Sequence, residues 1–226
     1  MGHSSMSIEI LYKSKNFIVI NKPKGIPSQP DLSGDANALS LAEQMLRSSG
    51  EESGLFLVHR LDRVVGGVLA FARNKKAAAE VSAILNTDLF VKEYIAVVEG
   101  HTDGGSFKDF IYKDKANSKA LVCDKQRSGA KLAELSCLPI ESADGKTLVK
   151  VRLTTGRFHQ IRAQLSSRGN AIIGDGKYGS RDSRAHMPAL FAKRIAFSAL
   201  GEKIDVTALP DIREYPWSEF EIEGKV

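Results

Sequence analysis

Leu57-Val58-His59-Arg60-Leu61-Asp62-Arg63-Val64-Val65-Gly66-Gly67-Val68-Leu69-Ala70-Phe71-Ala72-Arg73-Asn74 is two apolar, strand-like runs pinched around a charged cluster and a double glycine. The spacing predicts strands over Phe56 to Val58 and Gly67 to Ala72, joined by a loop that presents Asp62 at the edge of a sheet. Asp62 lies between Arg60 and Arg63, and a neighbouring cation favours the charged carboxylate, so its pKa is expected to be lowered. A carboxylate held this way can serve as a nucleophile or a base. A plain surface ion pair at a strand end fits the same eighteen residues equally well.

A second segment adds chemistry. Leu148 to Leu153 alternates as a strand, and Thr154-Thr155-Gly156-Arg157-Phe158-His159-Gln160-Ile161-Arg162-Ala163-Gln164-Leu165 follows it. Thr154 or Thr155 suits a helix N-cap. Ile161 and Leu165 then share one face, and Arg157, Gln160 and Gln164 recur around a polar one. His159 and Arg162 are three apart and can point to the same place. Such a helix N-terminus is suited to a phosphate or to a catalytic carboxylate; an amphipathic helix with a solvated basic face has the same pattern.

The rest of the chain sets bounds. Its 226 residues are ample for a core, and 42% apolar with 26% charged residues is ordinary for a globular protein. No apolar run approaches the roughly 20 residues that span a bilayer, and no apolar signal core opens the chain. Met1 to Ser5 reads as an expression remnant ahead of Met6, so residues 1–7 are set apart from a single unit over 8–226. Cys123 and Cys137 are too few and too far apart for a zinc cluster and are expected as free thiols. A net charge of +5 and a pI of about 9.1 agree with a nucleic-acid partner without requiring one. Lys13, Lys15, Lys22 and Lys24 flank one strand, and Arg152, Arg157, Arg162 and Arg168 gather around the later helix.

Strands are also expected over Glu9 to Lys13, Phe17 to Asn21, Phe90 to Glu99, Lys119 to Cys123, Ala133 to Leu138, Phe191 to Phe197 and Lys203 to Val206. Helices are expected over Ala38 to Arg47 and Lys75 to Leu85. Many strands, few helices and no regular βαβ alternation indicate an α+β fold with a mixed, mainly antiparallel sheet. Gly174-Asp175-Gly176-Lys177-Tyr178-Gly179 matches a dinucleotide-binding glycine pattern letter for letter. It opens no helix, and no acid stands about twenty residues on, so a nucleotide-binding turn is rejected. His59 and His159 have no third ligand at suitable spacing and are read as hydrogen-bonding residues rather than as a metal pair.

His59-Arg60-Leu61-Asp62 with Gly67, together with Gly156-Arg157-Phe158-His159-Gln160-Ile161-Arg162, resembles the RluA-type pseudouridine synthases (the RluA, RluC, RluD and TruC group). Asn16 to Gly25, Lys92 to Gly100 and Gly174 to Gly179 extend the resemblance in the family's order, from about residue 8 to about residue 200. It implies a long curved sheet with flanking helices and a central cleft, and the isomerisation of uridine to pseudouridine in RNA. Asp62 is then the essential carboxylate, Arg162 its partner, and Tyr94 the residue that packs on the target uracil. Arg60 enters the space left by a flipped base, and His59, Arg157, His159 and Gln160 join it in holding RNA. The reaction involves no redox change or phosphate transfer, so no cofactor or metal is expected. The expected partner is structured rRNA or tRNA, met by a monomer in the cytoplasm without the N-terminal RNA-binding domain of some relatives. Val65-Gly66-Gly67 departs from the Thr-Ser-Gly of many relatives. It motivates a second reading, a catalytically silent RNA-binding or chaperone protein. A glycosidase is disfavoured, because no second carboxylate motif accompanies Asp62.

Overall fold

The computed structural model describes residues 8–123 and 125–226; the expectation for residues 1–7 lies outside them. Strands β1 (Glu9–Lys13) and β2 (Phe17–Lys22) form an antiparallel pair, and β2 pairs next with β4 (Gly66–Ala72). The strands β3 (Phe56–Leu57), β5 (Val91–Glu99), β6 (Gly105–Asp114), β7 (Lys119–Cys123) and β8 (Ala130–Ala143) follow in the chain, then β9 (Lys146–Leu153), β10 (Leu190–Ala199) and β11 (Glu202–Thr207). All belong to one sheet ordered β1-β2-β4-β10-β5-β9-β8-β6-β7, with β3 added to β4 and β11 to β10. Only β4 and β10 run parallel among these pairs, so the expected mixed, mainly antiparallel α+β architecture is what forms.

The period of two on β2 and β4 explains why both faces of this region are covered. Ile18, Ile20, Leu69 and Phe71 point into one core, and Phe17, Val19, Val68, Ala70 and Ala72 into another. Helix α1 (Ala38–Ser48) closes the first core with Ala38, Ala42 and Leu46, and helix α2 (Lys75–Ile84) closes the second with Ala77 and Val81. Each of these helices has an asparagine N-cap: Asn37 Oδ1 accepts from Ser40 N–H at 3.0 Å, and Asn74 Oδ1 from Ala77 N–H at 2.9 Å. Large apolar side chains such as Phe17, Phe71 and Leu69 are fully buried, each worth about 1.5–3 kcal/mol of transfer energy.

The third helix departs from expectation. Helix α3 begins at Gln160 and ends at Ser166, and its N-cap is His159, in the left-handed region at φ 51°. Neither Thr154 nor Thr155 caps it. Thr155 instead ties the preceding loop to β8, its Oγ1 accepting from Glu134 N–H at 2.9 Å and donating to Gln160 Oε1 at 2.8 Å. The alternative of a solvated basic face does not hold, because Gln160 through Leu165 are all buried. The helix therefore lies inside the molecule, against the sheet, with its polar side chains turned onto protein partners.

Candidate active site

The Asp62 loop is anchored from beneath. Ser28 Oγ accepts from Leu61 N–H and donates to Leu61 O, both at 2.9 Å, and Val65 N–H closes a turn onto Asp62 O at 3.0 Å. Lys22, at the end of β2 and 1% exposed, donates to the carbonyls of Pro23 and Ile26 at 2.9 and 2.7 Å and approaches Arg63 O at 3.4 Å. Burial brings its pKa down to about 7, against the pull of Asp62. Gly67 follows from packing: β10 runs so close that a Cβ there, at φ +115°, would lie 2.2 Å from Ala192 O. Only glycine fits that approach.

Asp62, Tyr94 and Arg162 all line one cleft of about 400 Å³, together with His59, Arg60, Arg157, His159 and Gln160. Arg162 Nη1 stands 3.6 Å from Asp62 Oδ2, and His159 Nε2 stands 3.7 Å from the same oxygen. Arg162 is held harder from behind. Its Nε and Nη2 grip Asp175 at 2.6 and 2.7 Å, with side-chain exposures of 6% and 1%. Arg162 is thus a buried cation shared by two carboxylates, tight on Asp175 and loose on Asp62.

The expected lowering of the Asp62 pKa does not occur. Burial in the cleft raises it, outweighing the opposing pull of Arg162 and Arg60. Arg63 gives no help, because its guanidinium turns outward to Asp31 at 3.1 Å and Asp35 at 2.6 Å. Tyr94, on β5 and 7% exposed, has its hydroxyl pKa raised by burial and by Asp62, so it stays a neutral phenol. Among the described residues its hydroxyl makes no hydrogen bond within the protein. Lys92, two residues earlier on β5, donates to Leu85 O at 2.9 Å, and burial lowers its pKa to about 8.

The five residues expected at RNA have different surroundings. Arg60 is exposed at the mouth of the cleft. His59 Nε2 accepts from Ala70 N–H at 3.0 Å, and burial lowers its pKa to about 3, so this ring is a neutral brace for β4. Gln160 is 3% exposed; its Oε1 accepts from Arg157 N–H at 2.9 Å and its Nε2 donates to Glu134 O at 3.1 Å. The Gln160 side chain thus ties the start of α3 to the preceding loop and to β8. Arg157 Nε donates to Leu132 O at 2.7 Å. His159 stacks on Phe158 with centroids 3.8 Å apart.

Asp175 and Tyr178 were not anticipated. Both come from the Gly174–Gly179 segment, a turn carrying one turn of 3-10 helix over Gly176–Tyr178. Tyr178 Oη accepts from Ala120 N–H at 2.7 Å and meets His159 Nδ1 at 2.9 Å. The signal was available in principle: a buried arginine requires an acid partner, and Asp175 lies in a segment already marked by its glycines. Several members of the two basic clusters are taken up by the protein itself. Lys22 is buried, Lys24 lies 5.7 Å over the Trp217 ring, Lys13 pairs with Glu51, and Arg168 pairs with Asp109.

The sequence profile of the family described as RNA pseudouridylate synthase matches residues 16–167. The chain belongs to this family. Its members are isomerases that act on uridine in RNA. An uncharacterized RNA pseudouridine synthase of Haemophilus influenzae is 30% identical over 215 residues, covering 91% of this chain and 88% of its own length. The ribosomal large subunit pseudouridine synthase D of Borreliella burgdorferi is 32% identical over 187 residues, which is 79% of this chain and 57% of that protein. The structure of human RNA Pseudouridylate Synthase Domain Containing 4 shares the fold, with a TM-score of 0.75 at 24% identity over 90% of this chain and 89% of its own. Among the described residues no helix is long and apolar enough to cross a membrane.

Proposed function

We propose that this pseudouridine synthase isomerises specific uridines in structured RNA, with residues 8–226 acting as one catalytic domain and Asp62 as the essential carboxylate. The observation that carries the proposal is the convergence of Asp62, Arg162 and Tyr94 in one cleft, with Arg162 Nη1 3.6 Å from the Asp62 carboxylate. The reaction breaks the bond from ribose C1′ to uracil N1, turns the base, and joins C5 to the same C1′; the proton released at C5 balances the one taken up at N1. Asp62 acts on the sugar or the base as nucleophile or base. Arg162, fixed by Asp175, holds Asp62 in place and favours its charged form. Tyr94 supplies an apolar ring face for the uracil and a neutral hydroxyl beside the reacting groups.

A uridine within a helix or tight loop must leave its stack to enter the cleft, at a cost of a few kcal/mol. Arg60, exposed at the cleft mouth, fills the vacated space, while Arg157 and His159 flank the entering nucleotide. The RNA is rRNA or tRNA, the large-subunit names of several relatives favouring rRNA. The protein works as a monomer in the cytoplasm and needs neither metal nor cofactor, since the isomerisation is redox-neutral. The test is to incubate the purified protein with total RNA from cells lacking the gene and to map pseudouridine by chemical probing. New pseudouridine at discrete positions supports the reading; binding without any new pseudouridine supports the silent RNA-binding alternative.

A further inference from the structure

His159 occupies a backbone conformation that glycine or asparagine adopts more readily, and there its ring stands between the Tyr178 hydroxyl and Asp62. On one side Nδ1 lies 2.9 Å from the Tyr178 oxygen; on the other Nε2 faces Asp62 Oδ2 at 3.7 Å. The Tyr178 oxygen already accepts from Ala120 N–H at 2.7 Å, which orients the hydroxyl and leaves its single proton for another acceptor. That acceptor is His159 Nδ1. The imidazole then carries its proton on Nε2, pointing at Asp62. The opposite tautomer would set a lone pair against the carboxylate.

The surroundings keep this ring neutral. Burial, reinforced by Arg162, Lys177, Lys113 and Arg60, lowers the His159 pKa to about 3. We propose that Tyr178 and His159 form an uncharged positioning relay, in which Tyr178 fixes the His159 tautomer and the Nε2–H steadies the Asp62 carboxylate. The proposal rests on the reading of Asp62 as the essential carboxylate. The 3.7 Å gap is longer than a direct hydrogen bond; a small side-chain shift in the free protein closes it. Arg162 Nη1, at 3.6 Å, supplies charge beside the same oxygen while its other two nitrogens are committed to Asp175, so His159 adds a neutral donor to it. Lys22 is spent on backbone carbonyls, Arg60 is exposed, Asp175 is itself an acid, and Tyr94 is a neutral phenol.

Nitrogen-15 imidazole spectra and carbon-13 carboxyl titrations of the full chain test the relay without depending on turnover. The wild-type protein should show the Nε2–H tautomer of His159 throughout pH 5–8, and Tyr178→Phe should give a mixture. In His159→Asn, which suits the left-handed backbone but is too short to reach Asp62, the Asp62 midpoint should rise by about one unit, a hydrogen bond to a charged group being worth about one to two units. His159→Gln, whose amide nitrogen reaches the Nε2 position, should bring the midpoint back toward the wild-type value. With total RNA from cells lacking the gene, Tyr178→Phe should lower kcat about 10-fold with little change in KM, and its acid limb should move to higher pH. A wild-type Nδ1–H tautomer, or an Asp62 midpoint unmoved in His159→Asn, overturns the relay. If His159→Asn does not fold, the nearly isosteric Tyr178→Phe decides by its tautomer spectrum. A wild-type protein that makes no pseudouridine refutes the functional reading instead, and the spectra still judge the relay.

Discussion

Removing the acid behind Arg162 should cost more than any other single change near the cleft. Asp175 is 1% exposed and makes two charge-assisted hydrogen bonds, at 2.6 and 2.7 Å, to a guanidinium that is itself 6% exposed. Asp175→Ala leaves that cation buried with only Asp62, 3.6 Å away, to balance it. Breaking one partner from a buried pair typically costs about 3–5 kcal/mol, a large part of the roughly 5–15 kcal/mol that holds a folded protein. Asp175→Asn keeps the shape and one acceptor but sets an amide NH2 against an arginine N–H, for a loss of about 1–3 kcal/mol. With a urea slope near 3 kcal/mol/M, the midpoint should fall by about 1–1.7 M for the alanine and by about 0.3–1 M for the asparagine. The assay is urea unfolding followed by far-UV circular dichroism at pH 7. A midpoint within about 0.2 M of wild type in Asp175→Ala would refute the idea that this pair anchors α3 and aims Arg162.

Gly67→Ala should destabilise by about 2–4 kcal/mol, combining left-handed strain with a Cβ 2.2 Å from Ala192 O, whereas Gly54→Ala, with open space around it, should stay within about 0.5 kcal/mol. Urea midpoints of the two variants check this. His59 has a folded pKa of about 3 against about 6.5 unfolded, so acidification protonates the unfolded chain first and stability falls as the pH drops from about 6.5 toward 3. His59→Gln should remove up to about 1.4 kcal/mol per pH unit from that slope; unfolding curves between pH 4 and 7 that keep the wild-type slope would count against the buried neutral assignment. Arg60→Ala should lower turnover on a structured RNA far more than on the same RNA with its target uridine in a mismatch, because less unstacking energy is then needed. Equal loss on both substrates would remove Arg60 from base flipping.

What the sequence disclosed follows a physical divide. Phe17 to Asn21 and Gly67 to Ala72 announced themselves because alternating or continuous apolar residues have no other use in a chain of this composition. The helices after Asn37 and Asn74 were legible from apolar period. Helix α3 was legible from Ile161 and Leu165 but its buried setting was not, because Gln160, Arg162 and Gln164 find their partners 13 to 55 residues away, at Glu134, Asp175 and Asp109. A polar stripe satisfied inside the protein has the same periodicity as one facing water. Strand β6 was missed because its exposed face, with Ser106 and Lys108, reads as loop. The parallel pairing of β4 with β10 joins residues more than 120 positions apart and leaves no local trace except Gly67.

The site divides in the same way. Asp62, Tyr94 and Arg162 were named from motif resemblance and converge in the cleft. The sign of the Asp62 shift was misjudged, since adjacency to Arg60 and Arg63 is visible in a sequence but burial is not. Arg63 turned out to serve Asp31 and Asp35 instead. Gly67, which Val65-Gly66-Gly67 shares with the Thr-Ser-Gly of many relatives, follows from the close approach of β10; a Cβ on Gly66 would lie 3.1 Å from Lys24 Cγ and 3.2 Å from Lys22 O, and nothing in the structure explains Val65.

The central claim is that Asp62 performs the chemistry. Asp62→Asn keeps the side chain's size and its place above the Ser28-anchored loop while removing the carboxylate. Mapping pseudouridine in total RNA from cells lacking the gene, treated with wild-type or Asp62→Asn protein at matched RNA occupancy, tests this most directly. Discrete new pseudouridines are expected with the wild type and none with Asp62→Asn, the RNA affinity of the variant staying within a few-fold. Near wild-type turnover by Asp62→Asn would contradict the central claim.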